Sequence, residues 1–191
     1  MDKRTEQRIK VLTKEHIILV PHDAQWAARY SAVEAELKSI LPRMLMQRIA
    51  HIGSTAVPGL SAKPIIDVQV EVNDLETVKR DVAPKMEELG YEFIWRPTMG
   101  DDAPFYAWFI KRDGRGERSV HVHMVESGQA SVDRIIFRDH LREHPDEVLR
   151  YEAHKQELAK RFPKDRESYT KHKTDYVNEV LTKARKAKMK R

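Results

Sequence analysis

Hydrophobic and polar residues alternate over positions 64–72, where the sequence reads Pro-Ile-Ile-Asp-Val-Gln-Val-Glu-Val. Successive side chains of a β-strand point to opposite faces, so this alternation predicts a strand with one apolar and one polar face. The apolar face consists of Ile66, Val68, Val70 and Val72, and the polar face consists of Asp67, Gln69 and Glu71.

A second pattern, with apolar residues at steps of three and four, begins after Asp23. This spacing places the apolar side chains on one side of an α-helix, for which Asp23 is a suitable N-cap. Pro42 is expected to interrupt or end this helix. A further helix is predicted from its N-cap Asp74 through Leu89, with Gly90 as the stop. The stripe of the first helix consists of Trp26, Tyr30, Val33, Leu37, Ile40 and Leu41.

Shorter apolar runs predict further strands and a hairpin. Residues 17–20 form an edge strand or an extended lead-in. The run Asp-Gly-Arg-Gly at 113–116 is typical of the turn of a β-hairpin. From Val132 onward the pattern is helical, with breaks near Pro145 and Pro163, so we predict one α+β domain with a helical C-terminal half. The remaining strands are predicted at 48–53, 91–95, 105–111 and 118–125.

Positive charge is concentrated at the C-terminal end of the chain. Of the 191 residues, 35 are Lys or Arg and 30 are Asp or Glu, which gives a formal net charge of +5. Residues 183–191 carry six positive charges and no negative ones, so the rest of the chain has a formal charge of −1. Contact with nucleic acid is therefore predicted only through this basic tail, unless the tail is simply a solvated helix end. We divide the chain into a flexible segment (1–16), one domain (17–182) and the tail (183–191).

Composition excludes several classes of protein. Cysteine does not occur, which excludes disulfides and thiolate metal sites. No apolar run approaches the roughly 20 residues that a membrane-spanning helix needs. The polar first residues lack the apolar core of a signal peptide. The sequence therefore predicts a cytoplasmic protein that does not enter a membrane.

Gly53-Ser54, followed by Asp67 on the predicted strand, is a pattern with a chemical interpretation. Because glycine offers no side-chain obstruction, the backbone N–H groups and the Ser54 hydroxyl of such a turn can approach phosphate oxygens. A carboxylate on the next strand can hold Mg²⁺, which bridges the phosphates and an attacking oxygen. This spacing is typical of the polymerase-β-like nucleotidyltransferase superfamily, in which Asp-x-Asp or Asp-x-Glu follows the Gly-Ser turn.

The fuller run at 51–67, His-Ile-Gly-Ser-Thr-Ala-Val-Pro-Gly-Leu-Ser-Ala-Lys-Pro-Ile-Ile-Asp, resembles the GrpB family almost residue for residue. Other stretches agree in the same order, so the resemblance extends over residues 17–182. It implies a polymerase-β-like nucleotidyltransferase fold, with a mixed sheet flanked by helices and a helical C-terminal part. The other matching stretches are Val20–Asp23 with Trp26, Leu89–Tyr91, His121–Val125, Phe137–Arg142 and Tyr169–Tyr176.

The resemblance also implies a reaction, in which a nucleoside monophosphate moves from a nucleoside triphosphate to an acceptor. In that chemistry Gly53, Ser54 and Thr55 hold the triphosphate, and Asp67 binds Mg²⁺. Gln69 stands where the superfamily has its second carboxylate. Its amide oxygen can bind Mg²⁺ but brings no charge, so a two-metal site is expected to be weaker here.

His121 and His123 share one face of the strand predicted at 118–125. With Asp67 they are the predicted catalytic residues, and His123 is also a predicted metal ligand beside Asp67 and Gln69. Two histidines at this spacing can bind a transition metal, contact phosphate or carry protons. Packing within the sheet is the alternative for one of them.

Three basic residues are predicted to contact phosphate. Lys63 precedes the strand of Asp67, and Arg138 and Arg142 lie four residues apart on one face of a helix. Tyr169, Lys173 and Tyr176 also follow helical spacing, and C-terminal helices of the superfamily often close over the nucleotide base. Packing in the core is the alternative for the two tyrosines.

Two classes of function remain open. The first is a metal-dependent nucleotidyltransferase that acts on an unknown small molecule or protein side chain. The second is a non-catalytic nucleotide- or CoA-related binding module of the same fold, which is favoured by Gln69 and by relatives of the family that are fused to dephospho-CoA kinase. Both predict a nucleotide or another phosphorylated small molecule as the ligand.

Overall fold

One mixed sheet organises the part of the chain that the computed structural model describes, residues 16–96 and 106–189. Its strands are β1 (Met46–Ile52), β2 (Ile66–Val72), β3 (Tyr91–Arg96), β4 (Tyr106–Arg112) and β5 (Arg118–Glu126). They lie in the order β1-β2-β5-β4-β3. β2 and β5 are parallel, whereas the other neighbouring pairs are antiparallel. The predicted α+β class with a mixed sheet and the hairpin between β4 and β5 are confirmed.

The helices of this part are α1 (Gln25–Ile40), α2 (Leu75–Thr77), α3 (Ala83–Glu88), α4 (Gln129–Glu143), α5 (Pro145–Arg161) and α6 (Arg166–Met189). The helix predicted from Asp74 to Leu89 is irregular, because a π-helical turn at Val78–Val82 separates α2 from α3. Pro84, in the first turn of α3, has no N–H to donate to the preceding turn. A regular α-helical ladder therefore cannot pass through it.

The apolar face of β2 lies in the main core, as its alternation predicts. Its four apolar residues pack with α1, the α2–α3 segment and the matching face of β5. Trp26 and Leu37, from the predicted stripe of α1, are buried in this cluster, as are Met86 and Phe109. Asp23 accepts a hydrogen bond from the backbone N–H of Gln25 at the start of α1.

The polar face of β2 is covered by the C-terminal helices rather than by water. Gln69 donates to the carbonyl of Ser131 in α4 at 3.0 Å. A second apolar cluster joins Val57 and Leu60, from the loop after β1, to Leu141, Val148 and Tyr151 of α4 and α5. The helical C-terminal half therefore encloses the sheet face that carries Asp67.

Both ends of the chain extend beyond the described residues. All of the predicted flexible segment except His16, together with Phe105 in the predicted hairpin, lies outside them. The lead-in at 17–20 pairs with the rest of the protein through an isolated bridge between Val20 and Ala62. Residues 183–189 of the basic tail continue α6 without a break. Within the described part, no helix has both the length and the apolar character needed to cross a bilayer.

Candidate functional site

Asp67, His121 and His123 meet on one face of the sheet. Asp67 and His121 are direct neighbours across the parallel strands β2 and β5, and His123 lies two residues further along β5. His121 Nδ1 is 3.0 Å from Asp67 Oδ1, and His123 Nε2 is 3.7 Å from the same oxygen. One ligand atom from each residue lies within 4.8 Å of the others. The sequence prediction that these three side chains act together is therefore consistent with their placement.

Gly53 lies directly against the Asp67 carboxylate. It has φ of 73° and ψ of −173°, a conformation that is essentially restricted to glycine. A Cβ atom at this position would lie 2.6 Å from Asp67 Oδ2. The Gly-Ser turn and the carboxylate thus form one structural unit, which explains why a glycine precedes Ser54.

The charge of this cluster is set by burial and by its own hydrogen bonds. Burial alone would raise the pKa of Asp67, but the neighbouring imidazoles of His121 and His123 outweigh it and hold that pKa well below its ordinary value. Burial lowers the pKa of His123 to about 4, and the nearby Asp67 opposes this only in part. At neutral pH the cluster therefore combines an ionised carboxylate with a neutral imidazole on His123.

A cavity of about 490 Å³ opens in front of the cluster. Gly53, Ser54, Thr55 and Lys63, which the sequence predicts as phosphate contacts, line it together with Asp67 and both histidines. Among the described residues, six basic side chains line the cavity, against two acidic ones. The basic residues are Lys63, Arg118, Arg134, Lys155, Arg166 and Lys173, and the acidic ones are Asp67 and Asp133.

The two acidic lining residues differ in their partners. Asp133 accepts hydrogen bonds from Arg185 of α6, at 2.6 Å for its Oδ2, so its charge is already matched. Asp67 is therefore the acidic lining residue that faces the cations without an arginine or lysine partner among the described residues. The formal charge of −1 over residues 1–182 does not indicate this cluster of basic residues.

Lys155 is one of the lining residues that the sequence did not predict. Its side chain is buried, and its Nζ donates to the Ser61 carbonyl and, at 3.3 Å, to Ser54 Oγ. The Nζ also lies 4.9 Å from the centroid of the Tyr151 ring. Burial, together with the charge of the neighbouring Lys173, lowers the pKa of Lys155 to about 7. A signal existed in the sequence, because the lysine stands in the apolar stripe of α5 that contains Tyr151 and Leu158.

His51 supports the Gly-Ser turn from behind rather than lining the cavity. Its ring stacks on Tyr30 with 4.6 Å between the centroids, and its Nε2 is 3.0 Å from Thr55 Oγ1. The Thr55 hydroxyl donates to the carbonyl of Ile65, so the proton between His51 and Thr55 belongs to His51 Nε2. Burial lowers the pKa of His51 to about 4. The ring is therefore neutral, and Thr55 uses its hydroxyl to hold the turn.

Arg138 and Arg142 are not brought to the cavity. Arg138 donates to the carbonyl of His51 and Arg142 to that of Ala56, both at 2.8 Å. They line a separate surface hollow beside α1, on the other side of the turn. The predicted phosphate contact through these two arginines is not supported by this placement. Arg134, one helical turn earlier on α4, lines the cavity instead.

Gln69 also lies apart from the cavity lining. Its amide is buried and donates to the Ser131 carbonyl, and its oxygen is 3.5 Å from a guanidinium nitrogen of Arg134. Gln69, although predicted as a metal ligand, therefore helps to position Arg134 and α4. Asp67, His121 and His123 remain as the described residues that can share one ion at this place.

Of the C-terminal candidates, Tyr169 and Lys173 line the cavity. Tyr176 does not, because its hydroxyl donates to Glu147 and its ring stacks on Tyr151. Lys63 Nζ lies 6.0 Å from the centroid of the buried Tyr169 ring. The helix α6 thus supplies one wall of the cavity.

Comparison with known proteins gives consistent results over nearly the whole chain. A family model described as GrpB protein matches residues 16–183. A UPF0157 protein of Pseudomonas aeruginosa is 40% identical over 179 residues, which are 93% of this chain and 72% of that protein. The crystal structure of the conserved protein GrpB from Enterococcus faecalis superposes with a TM-score of 0.71 at 30% identity, covering 87% of this chain and 98% of the other.

A more distant relative is a longer protein, and this chain matches only part of it. The dephospho-CoA kinase of Mycolicibacterium paratuberculosis is 25% identical over 193 residues, which cover 91% of this chain and 47% of the kinase. The family model and the two more similar relatives together span the turn at Gly53, the strands of the Asp67 cluster and the C-terminal helices. This chain belongs to the GrpB family.

Proposed function

We propose that the cavity binds a nucleoside triphosphate and that the protein transfers its nucleoside monophosphate to an acceptor, within a nucleotidyltransferase fold. The observation that carries this proposal is the six basic side chains around one cavity, next to the Gly53-Ser54 turn and the Asp67 cluster. A volume of about 490 Å³ lies in the range of small-ligand sites. Polyphosphate is the ligand class that matches so dense a set of cations.

Lys155 is the most specific element of this phosphate site. No carboxylate of the described residues lies within ion-pair distance of its Nζ, which is held between Ser54 and Ser61. A buried ammonium without an anionic partner is costly, so an anion that enters the cavity gains a strong interaction with it. A bound phosphate would therefore oppose the effect of burial and raise the pKa of Lys155 again.

In the proposed reaction the acceptor hydroxyl oxygen forms a bond to the α-phosphorus. The bond between the α-phosphorus and the bridging oxygen of the β-phosphate breaks, pyrophosphate leaves, and the hydroxyl proton passes to water. The cations of the lining stabilise the charge that develops on the departing pyrophosphate. Tyr169 and Phe137, which also line the cavity, offer apolar surface for the base.

The residues present fit Mg²⁺ poorly as the metal of this reaction. Mg²⁺ prefers oxygen ligands, whereas the cluster offers one carboxylate and two imidazoles, and Gln69 is engaged elsewhere. Mg²⁺ bound by Asp67 and the phosphates stays a prediction. A bound divalent ion would neutralise phosphate charge and polarise the reacting phosphoryl group.

Turnover with labelled nucleotides tests the proposal. The protein is incubated with ATP, GTP, CTP or UTP and candidate acceptors, in Mg²⁺ or Mn²⁺, and pyrophosphate release is measured. We expect release with at least one nucleotide and its loss in Asp67→Ala, while the exposed-surface variant Asp81→Ala retains it. Transfer that persists in Asp67→Ala would show that this cluster is not the active site.

A second candidate function is a nucleotide- or CoA-related binding module without catalysis. It is favoured by Gln69, whose amide holds Ser131 and Arg134 in place of a second carboxylate, and by the relative that is a dephospho-CoA kinase. Calorimetric titration with ATP, CoA and dephospho-CoA, with and without divalent metal, separates the two. Tight binding that needs no metal, without pyrophosphate release, would favour the module.

A further inference from the structure

The Asp67 cluster presents its ligand atoms to one point. Both imidazoles direct a nitrogen at Asp67 Oδ1, from 3.0 and 3.7 Å. The longer distance exceeds that of a hydrogen bond, so His123 gains little from Asp67 in this arrangement. Its Nδ1 and the Nε2 of His121 are buried without a hydrogen-bond partner among the described residues. Each ring thus has one nitrogen that faces the Asp67 carboxylate and one nitrogen without a hydrogen-bond partner among the described residues.

These distances suit a shared metal ion. Metal bonds to imidazole nitrogen and carboxylate oxygen are about 2.0–2.2 Å long, which places neighbouring ligand atoms about 3–4 Å apart. The two measured distances fall in this range. Asp67 and His121 are fixed by adjacent parallel strands, and Gly53 packs against the carboxylate. The site is therefore built on rigid elements, and side-chain adjustment has to bring ligand atoms that now lie within 4.8 Å of one another to about 3–4 Å.

The donor set indicates the class of metal. Carboxylate, carbonyl and water oxygens suit Mg²⁺, whereas imidazole suits first-row transition metals. Two histidines and one carboxylate form a set that leaves further coordination positions open. Those positions face the cavity, because all three residues line it.

We propose that Asp67, His121 and His123 bind a divalent first-row transition metal, such as Zn²⁺, Mn²⁺ or Fe²⁺, in preference to Mg²⁺. This inference deepens the proposed function by naming the ion of the site. It does not depend on nucleotide binding, since the three protein ligands are sufficient to hold the ion.

Metal binding without nucleotide tests the proposal. The protein is stripped with a chelator, dialysed and titrated calorimetrically with Zn²⁺, Mn²⁺ and Mg²⁺ in separate experiments. We expect one equivalent of Zn²⁺ or Mn²⁺ to bind at least about 100-fold more tightly than Mg²⁺, consistent with the preference of imidazole ligands. The visible d–d absorption of bound Co²⁺ reports on the coordination number and geometry of the site.

Variants locate the ion. His123→Ala and Asp67→Asn are expected to weaken Zn²⁺ binding by at least about 100-fold, beyond the 10–100-fold effect of residues that only orient ligands. His22→Ala, which changes an exposed histidine, is the matched control and should bind like the wild type. Circular dichroism establishes that each variant is folded, and a metal-dependent rise in Tm in the wild type gives a second readout.

Three results would overturn the proposal: Mg²⁺ that binds as tightly as Zn²⁺ and Mn²⁺, folded variants that bind like the wild type, or no stoichiometric metal at all. The outcomes are separable from those of the proposed function. Metal binding without nucleotide turnover leaves the ion site intact and removes only the reaction. Turnover that depends on Asp67 but needs Mg²⁺ alone would keep the reaction and reject the transition metal.

Discussion

Replacing Gly53 with alanine tests whether the turn after β1 fixes the Asp67 carboxylate. The added Cβ would lie 2.6 Å from Asp67 Oδ2 and has to reach at least 3.4 Å for an ordinary contact. Glycine is also the residue that tolerates φ of 73° with ψ of −173°. The variant must therefore move the carboxylate, open the turn, or both.

Two costs set the magnitude of the effect. Alanine in this backbone conformation costs about 1–3 kcal/mol. Forcing the carboxylate aside resembles overpacking, which typically costs about 1–3 kcal/mol. We expect the free energy of unfolding to fall by about 4 kcal/mol, near the middle of the combined range. As Asp67 moves away from the two histidines, Zn²⁺ affinity is expected to fall about 10–100-fold.

Gly59→Ala is the matched control for the backbone term. Gly59 has φ of 78°, but a Cβ atom added there would have no neighbour within 4 Å. This variant should lose about 1–3 kcal/mol from strain alone and keep its Zn²⁺ affinity. Urea unfolding and calorimetric titration measure the two quantities. Equal stability losses in both variants, with Zn²⁺ affinity unchanged in Gly53→Ala, would refute the reasoning.

Three further outcomes follow from the buried polar groups. Burial lowers the pKa of Lys155 from 10.5 to about 7. Between these pH values the unfolded chain binds a proton that the folded protein does not, so stability rises with pH. Urea unfolding at both ends of this window should show a smaller rise in Lys155→Met than in the wild type or Lys160→Met, and an equal rise would contradict this. Burial lowers the pKa of His51 from 6.5 to about 4, so stability falls as the pH falls through that window, and less so in His51→Gln. Thr55→Val should lose about 1–3 kcal/mol in the same assay, because His51 Nε2 and the Ile65 carbonyl lose their partner; an unchanged midpoint would contradict the assigned role.

The sheet and its reactive face could be predicted because they depend on local patterns. Alternation along β2 specifies which side of the strand is apolar, and the same rule places His121 and His123 together on β5. The pairing of β2 with β5 is not a local property. The contact between Asp67 and His121 therefore became visible only when the order of the strands was known.

The cationic lining could not be predicted, since it comes from elements that are distant in sequence. Arg134 and Arg138 are one turn apart on α4, and the sequence does not indicate which turn lies over the cavity. The fold places Arg134 at the cavity and uses Arg138 to bind the carbonyl of His51. Lys155 stands in an apolar stripe, where a lysine that extends its amine to the surface gives the same pattern.

The role of Gln69 also became clear only from the structure. From sequence, Gln69 is expected to be a weaker metal ligand than the carboxylate that the resemblance to nucleotidyltransferases predicts at this position. In the fold, its amide links β2 to Ser131 and Arg134 of α4, and His123 on the adjacent strand takes a place beside Asp67. The amide at position 69 thus occurs together with a nitrogen-containing donor set.

Calorimetric titration with a non-hydrolysable ATP analogue tests the central claim, that this cavity is a polyphosphate site. We expect saturable binding to the wild type and to Lys160→Met. In Lys155→Met the affinity should fall about tenfold or more, since a hydrogen bond to a charged group contributes about 1.5–3 kcal/mol. Equal affinity in Lys155→Met and the wild type, or no binding of the analogue to the wild type, would contradict the account.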